Sequence, residues 1–216
     1  MPRAPSALLL LLLLLPPAAA AQAPAADARK AQPDENRIFA TTQLAGQRVS
    51  VLPVGGVMVL DGVPEDSLLG AFRDRRAGLR RADTLLANAL LERLPDITWL
   101  TPDDVRRLAR RAPSLIPDAD RMGQTVVRSA GLREVPDPLR NQARALAALA
   151  NGRYALVPSM LVLSREAALL RADLVLVLAD PRSGGILWRS VAVGRDATAE
   201  GALKRALAAV LPAALP

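Results

Sequence analysis

Ala172-Asp-Leu-Val-Leu-Val-Leu-Ala-Asp-Pro-Arg-Ser-Gly-Gly-Ile-Leu-Trp-Arg-Ser-Val-Ala-Val193 reads as strand, turn, strand. Leu174 to Leu178 is apolar without alternation, as a central strand covered on both faces must be. Asp180-Pro-Arg-Ser-Gly-Gly185 carries the residue types of a tight turn, which predicts a hairpin between strands at 172–179 and 186–193. A third strand, 154–163, precedes them. Before it, Leu139, Ala143, Leu146 and Ala150 recur at helical spacing, with Arg140 and Arg144 off the stripe and Asn151-Gly152 closing the helix. After the hairpin, Ala199, Ala202, Leu203, Ala206, Leu207 and Val210 mark an amphipathic helix.

Towards the amino terminus, Thr101-Pro102-Asp103-Asp104 offers an N-cap, a proline at the first helical position and a carboxylate at the capping-box position. The helix it starts runs through Val105 and Leu108 until Pro113. Asp96 to Leu100 is a short strand, and Leu79, Leu86, Leu90 and Leu94 place a helix before it that Pro95 ends. Arg48-Val-Ser-Val-Leu-Pro53 is a first strand. Val57-Met-Val-Leu60 is either its hairpin partner or its continuation. Ser114 to Pro138 is punctuated by prolines, with a short helix near 124–129. The order β-α-β-α-α-β-β-β-α predicts a single α/β (α+β) domain, a mixed sheet of four or five strands packed against helices.

That order resembles the periplasmic envelope domains grouped around the TolB amino-terminal domain, the curli-secretion protein CsgG and the LpoB-type lipoproteins. The similar residues are the Arg48 to Pro53 strand, the Arg153-Tyr-Ala-Leu-Val157 strand, and Leu176-Val-Leu-Ala-Asp180 followed by Arg182-Ser-Gly-Gly-Ile-Leu-Trp188. The resemblance spans about Arg48 to Leu211 and implies an assembly or interaction module with no catalytic residues to carry over. The chain departs from the group in lacking a lipidation cysteine and in its 114–138 segment.

Of 216 residues, 51% are hydrophobic and 2% aromatic, so the core must be built from Leu, Val and Ala. The chain has no His and no Cys, which excludes a Ser-His-Asp triad, a cysteine nucleophile, a disulfide and a His/Cys zinc site. Only Lys30 and Lys204 among the 28 basic residues are lysines, so the formal charge of +7 reflects an arginine excess typical of GC-rich coding as much as a polyanion partner. Arg3, the apolar run Ala7 to Leu15 and the small residues Ala18 to Ala21 have the three parts of a secretory signal, with cleavage after Ala21. The apolar run is too short to span a bilayer, which takes about 20 residues. Residues 22–37 read as an Ala/Pro-rich tether and 38–216 as the folded domain.

Two basic clusters stand out, Arg73 to Arg76 with Arg80-Arg81, and Arg106-Arg107 with Arg110-Arg111. Arg73, Arg76, Arg107 and Arg111 are the candidate anion or partner patch, weighed against ordinary solvated helix faces. With so few aromatics there is no base-stacking platform, and nucleic acid is not an expected partner. Asp118-Ala-Asp120 begins like a calcium loop, but Met122 and Ser129 occupy positions where ligands are required. Asp61, Asp103 and Asp180 are the carboxylates an unusual hydrolase would use, although Asp104 reads as a cap and Asp180 as a turn former. Trp99 and Trp188 read as core on neighbouring strands, and Gly55-Gly56 as a turn. No metal or cofactor is implied. The expectation is an exported, periplasmic or secreted, non-enzymatic module that binds another envelope protein through a sheet edge or helix face. The alternative is a basic domain on anionic lipid or cell-wall polymer, and a carboxylate hydrolase stands third.

Overall fold

Tyr154–Glu166 (β4) is the strand on which the sheet is assembled. The computed structural model describes residues 34–60, 62–63 and 68–212. The signal segment 1–21, most of the 22–37 tether and Asp61 lie outside the described residues.

In chain order the elements are β1 (Arg48–Val51), β2 (Val57–Val59), α1 (Arg75–Arg93), β3 (Thr98–Leu100), α2 (Pro102–Arg111), α3 (Leu139–Leu149), β4, β5 (Leu169–Ala179), β6 (Ile186–Asp196) and α4 (Ala199–Val210). They build a mixed sheet in the order β3-β1-β4-β5-β6, with β2 also paired to β4. The sheet is mixed and packed against helices as expected, with six strands among the described residues, one more than the upper end of the expected range of about four or five. The added strand is β2, which continues the path of β1. Both run parallel to β4, Val49 to Val51 beside Tyr154 to Leu156 and Val57 to Val59 beside Leu161 to Leu163. The hairpin alternative for 57–60 is thereby set aside.

Between those two ladders the outer chain accommodates one extra residue, and Gly55-Gly56 lies in this bulge rather than in a turn. A Cβ on Gly55 would stand 2.6 Å from the Ser159 carbonyl oxygen and 2.7 Å from Gln124 Cβ, so the glycine is there to let backbone approach backbone.

Leu174, Leu176 and Leu178 face α1 and α4 in one core, while Val175 and Val177 face Val105, Leu139 and Leu146 in a second. This two-sided cover is what the unbroken apolar run in β5 required. The Thr101 capping box forms as read, with the Asp104 carboxylate accepting the Thr101 N–H at 3.0 Å and the Thr101 hydroxyl accepting the Asp104 N–H. The β4–β5 hairpin is longer than the sequence suggests, because β4 runs to Glu166 and β5 starts at Leu169.

Trp99 and Trp188 are core residues but not on neighbouring strands: β3 and β6 end the strand order. Across four inter-strand steps of about 4.8 Å, Phe39 still meets both rings, at centroid distances of 6.3 and 4.7 Å. The sheet therefore curls towards this face. The β6 edge is closed by chain. Asn36 N–H donates to the Val191 carbonyl and Val191 N–H to that of Asp34, so these residues of the 22–37 stretch lie against the sheet. Farther along, Ile186 N–H donates to the Arg133 carbonyl. No helix among the described residues is long and apolar enough to cross a membrane.

Candidate functional site

Among the described residues the edge of β2 is left open where that of β6 is closed. Leu60 N–H donates to the Leu163 carbonyl and Leu161 N–H to that of Gly56, so the even-numbered residues of this stretch face β4. By the alternation of a parallel ladder, the N–H and C=O groups of Val57 and Val59 point away from it, and among the described residues no backbone partner meets them. Met58, Val59 and Leu60 are 42%, 37% and 42% exposed, three consecutive apolar side chains on an edge strand. Edge strands of this kind are usually blunted by charge or proline, because they template pairing with another chain. Beside the edge, Val59, Leu60, Val63, Leu69, Phe72 and Arg73 line a groove of about 590 Å³.

The four arginines of the candidate patch fall in different settings. Arg73 belongs to the groove wall, at the end of the 3-10 turn Gly70–Arg73. Arg76 is exposed in the first turn of α1, and Arg111 is exposed at the end of α2. Arg107 is engaged by Asp104 at 2.6 Å. The carboxylates singled out from sequence are also engaged locally. Asp103 accepts from Arg106 at 2.9 Å, and Asp180 accepts the Arg182 N–H at 2.9 Å within its turn. Asp118 caps the short turn Ala119–Arg121 by accepting the Asp120 N–H at 2.9 Å.

What the sequence reading missed is a buried acid–arginine clamp. Asp83 sits on the inner face of α1 and accepts the Val54 N–H at 2.7 Å, while its other oxygen accepts from Arg106 of α2. The same guanidinium donates to Asp120 at 2.7 Å and to Asp103 at 2.9 Å. One arginine thus joins α1, α2, the Ala119–Arg121 turn and the bulge between β1 and β2. The signal was present: residue 83 falls on the Leu79, Leu86, Leu90 stripe, where a carboxylate has no place unless it is paired. Asp83 also lines a groove of about 370 Å³ between the two helices, with Arg80, Thr84, Asn88, Asp103 and Arg106.

Burial pushes the Asp83 carboxyl up to about 6, against the opposing pull of the Val54 N–H and Arg106. Burial also works against the Arg106 charge, but the hydrogen bonds to Asp120 and Asp83 outweigh it and raise that group. Because the folded-state value of Asp83 lies above its unfolded value, it contributes stability that is fully present below pH about 4 and is lost as pH rises through about 6. Glu200, held down to about 2 by Arg81 and Lys204, acts in the opposite sense at lower pH, so the wild-type profile alone mixes the two. The difference isolates Asp83. The melting temperature of Asp83→Asn minus that of the wild type is expected to increase between pH 4 and 6 and then level off. A flat difference across that window would contradict the raised value.

No protein-family model and no curated protein matches the chain. Solved structures similar to it include the LpoB C-terminal domain from Salmonella enterica, 15% identical over 69% of this chain and 82% of that one, with a TM-score of 0.38. LpoB from Escherichia coli is 16% identical over 91% and 85% of the two chains, with a TM-score of 0.37. A PelC dodecamer from Paraburkholderia phytofirmans is 11% identical over 75% and 81%, with a TM-score of 0.30. Of the resemblances drawn from the sequence, these likenesses touch LpoB and not TolB or CsgG, and at such scores they carry no argument about activity or partner.

Proposed function

We propose that the protein is exported, cut near Ala21, and acts in the periplasm or outside the cell as a non-enzymatic module that binds another envelope protein. The single observation that carries this is the open, apolar edge of β2 in a sheet whose β6 edge is closed by chain. The secretory pattern of residues 1–21 and the envelope-domain resemblance of the 176–188 hairpin support the compartment. In this reading the part of the 22–37 stretch that precedes Asp34 is the tether of the folded unit. A second reading, adhesion to anionic lipid or cell-wall polymer, draws on Arg76 and Arg111, which are exposed and have no ion-pair partner among the described residues.

The test is a pull-down with tagged mature chain, residues 22–216, from envelope extract at low and high salt. A discrete protein that stays bound at high salt and captures the chain in the reciprocal experiment is the expected result. Anionic lipid or polymer that washes off as salt rises would favour the second reading, because exposed charge contacts are screened within about 8 Å at physiological ionic strength. Retention of neither would overturn both.

A further inference from the structure

Resting on the interaction-module reading, we propose that the β2 edge is completed by an extended segment of the partner in which apolar residues alternate with carboxylates. The backbone supplies half of the recognition. Val57 and Val59 present their N–H and C=O groups outward, and a strand laid alongside them would satisfy these groups as an inner strand's are satisfied.

The side chains of such a strand alternate between the two faces of the sheet. On the α1 face of the sheet, one set falls into the 590 Å³ groove walled by Val59, Leu60, Val63, Leu69 and Phe72, which selects aliphatic residues. On the other face, Met58 offers a further apolar contact.

Charge selects the remainder. From Arg73 in the groove wall the chain passes through Asp74 directly into the first turn of α1, where Arg75 and Arg76 occupy the first two helical positions. Asp74 is engaged in capping, accepting the Ala77 N–H at 2.7 Å, and the first turn holds no acidic residue. Two arginines on the positive end of a helix dipole oppose the usual preference for carboxylates there. Among the described residues Arg75 and Arg76 also have no ion-pair partner, whereas Arg81, Arg106, Arg107, Arg171, Arg195 and Arg205 each hold a carboxylate within 3 Å. Carboxylates on the incoming strand would meet that unneutralised charge. A second copy of this chain fits less well, because edge-to-edge pairing would set the same arginines against each other in a chain that is already basic.

The probe is a fluorescein-labelled short peptide alternating Val with Glu, titrated against mature chain by fluorescence anisotropy. Controls are the Val/Lys counterpart and a Val/Glu peptide N-methylated at every amide, which has no N–H on either edge with which to pair. The acidic peptide is expected to bind at least about tenfold more tightly than either control, and to weaken as salt rises. Val59→Pro should abolish binding without unfolding the protein, because it removes an N–H that is not bonded to β4 and edge strands tolerate proline at such positions. Arg75→Glu with Arg76→Glu should weaken binding about tenfold or more.

Equal binding of the N-methylated or the Val/Lys peptide, or no binding at all, would overturn the proposal. So would a dimer in sedimentation velocity that Val59→Pro dissociates, or binding to phosphatidylglycerol vesicles alone. An envelope protein captured equally well by wild type and Val59→Pro would overturn this inference and leave the interaction-module reading standing. Capture of nothing by either would remove that reading as well.

Discussion

Gly194→Ala is expected to lift α4 off the sheet or prevent folding, seen as loss of the cooperative thermal transition or a destabilisation of at least about 4 kcal/mol. Gly194 lies in β6 opposite Ala172, under the helix whose Ala199, Ala202, Leu203, Ala206, Leu207 and Val210 are buried. A Cβ at this position would collide with the Ala206 backbone nitrogen and the Ala202 carbonyl oxygen, and would stand 2.8 Å from the Arg205 carbonyl carbon. These atoms belong to helix backbone and cannot rotate away as the end of a long side chain could. Since α4 covers Leu174, Leu176 and Ala192, moving it opens the larger of the two cores. Gly62→Ala serves as the contrasting variant, because among the described residues nothing lies within 4 Å of its Cβ position and only the strain of its positive φ applies. A Gly194→Ala protein that melts like the wild type would show that α4 does not pack at the distance described.

Arg106→Met is expected to cost about 3–5 kcal/mol at neutral pH, measured by urea denaturation, because it leaves a buried carboxylate without its counter-charge. Asp83 would then lose the attraction that opposes its desolvation, and its titration would move up from about 6. The double variant Asp83→Asn, Arg106→Met should recover part of the loss, since the isolated charge is gone while the amide still reaches the Val54 N–H. Recovery in the double variant marks direct coupling between the two side chains. Additive losses would instead mean that Arg106 acts through Asp120 and Asp103 alone. The clamp's position gives it reach: Val54 lies between β1 and β2, so loosening the clamp is expected to disturb the β2 edge as well as the helices.

Local pattern was legible wherever its cause lay within a few residues. The 180–185 turn, the Thr101 capping box, the α4 stripe from Ala199 to Val210 and the unbroken apolar run of β5 are each set by neighbours along the chain, through hydrogen-bond caps, proline, glycine and the 3.6-residue period. The two-sided cover of β5 could also be anticipated, because a strand with no polar face has no side to turn to water.

Pairing was decided by the tertiary structure. Whether 57–60 folds back on β1 or continues beside β4 depends on Leu161 to Leu163, about a hundred residues away, and no local spacing encodes that choice. The same holds for Trp99 and Trp188, which the sheet's curl brings to Phe39 from its two ends. It holds again for Asp83, whose place on an apolar stripe makes sense only once Arg106 arrives from the next helix. What the sequence by itself determined is which segments become strands and helices, and which chemistries its composition excludes. Where the sheet keeps an open edge, and which charges are buried as pairs or left bare beside it, follows from contacts between distant segments, because hydrogen-bond partners and counter-charges are supplied in space rather than along the chain.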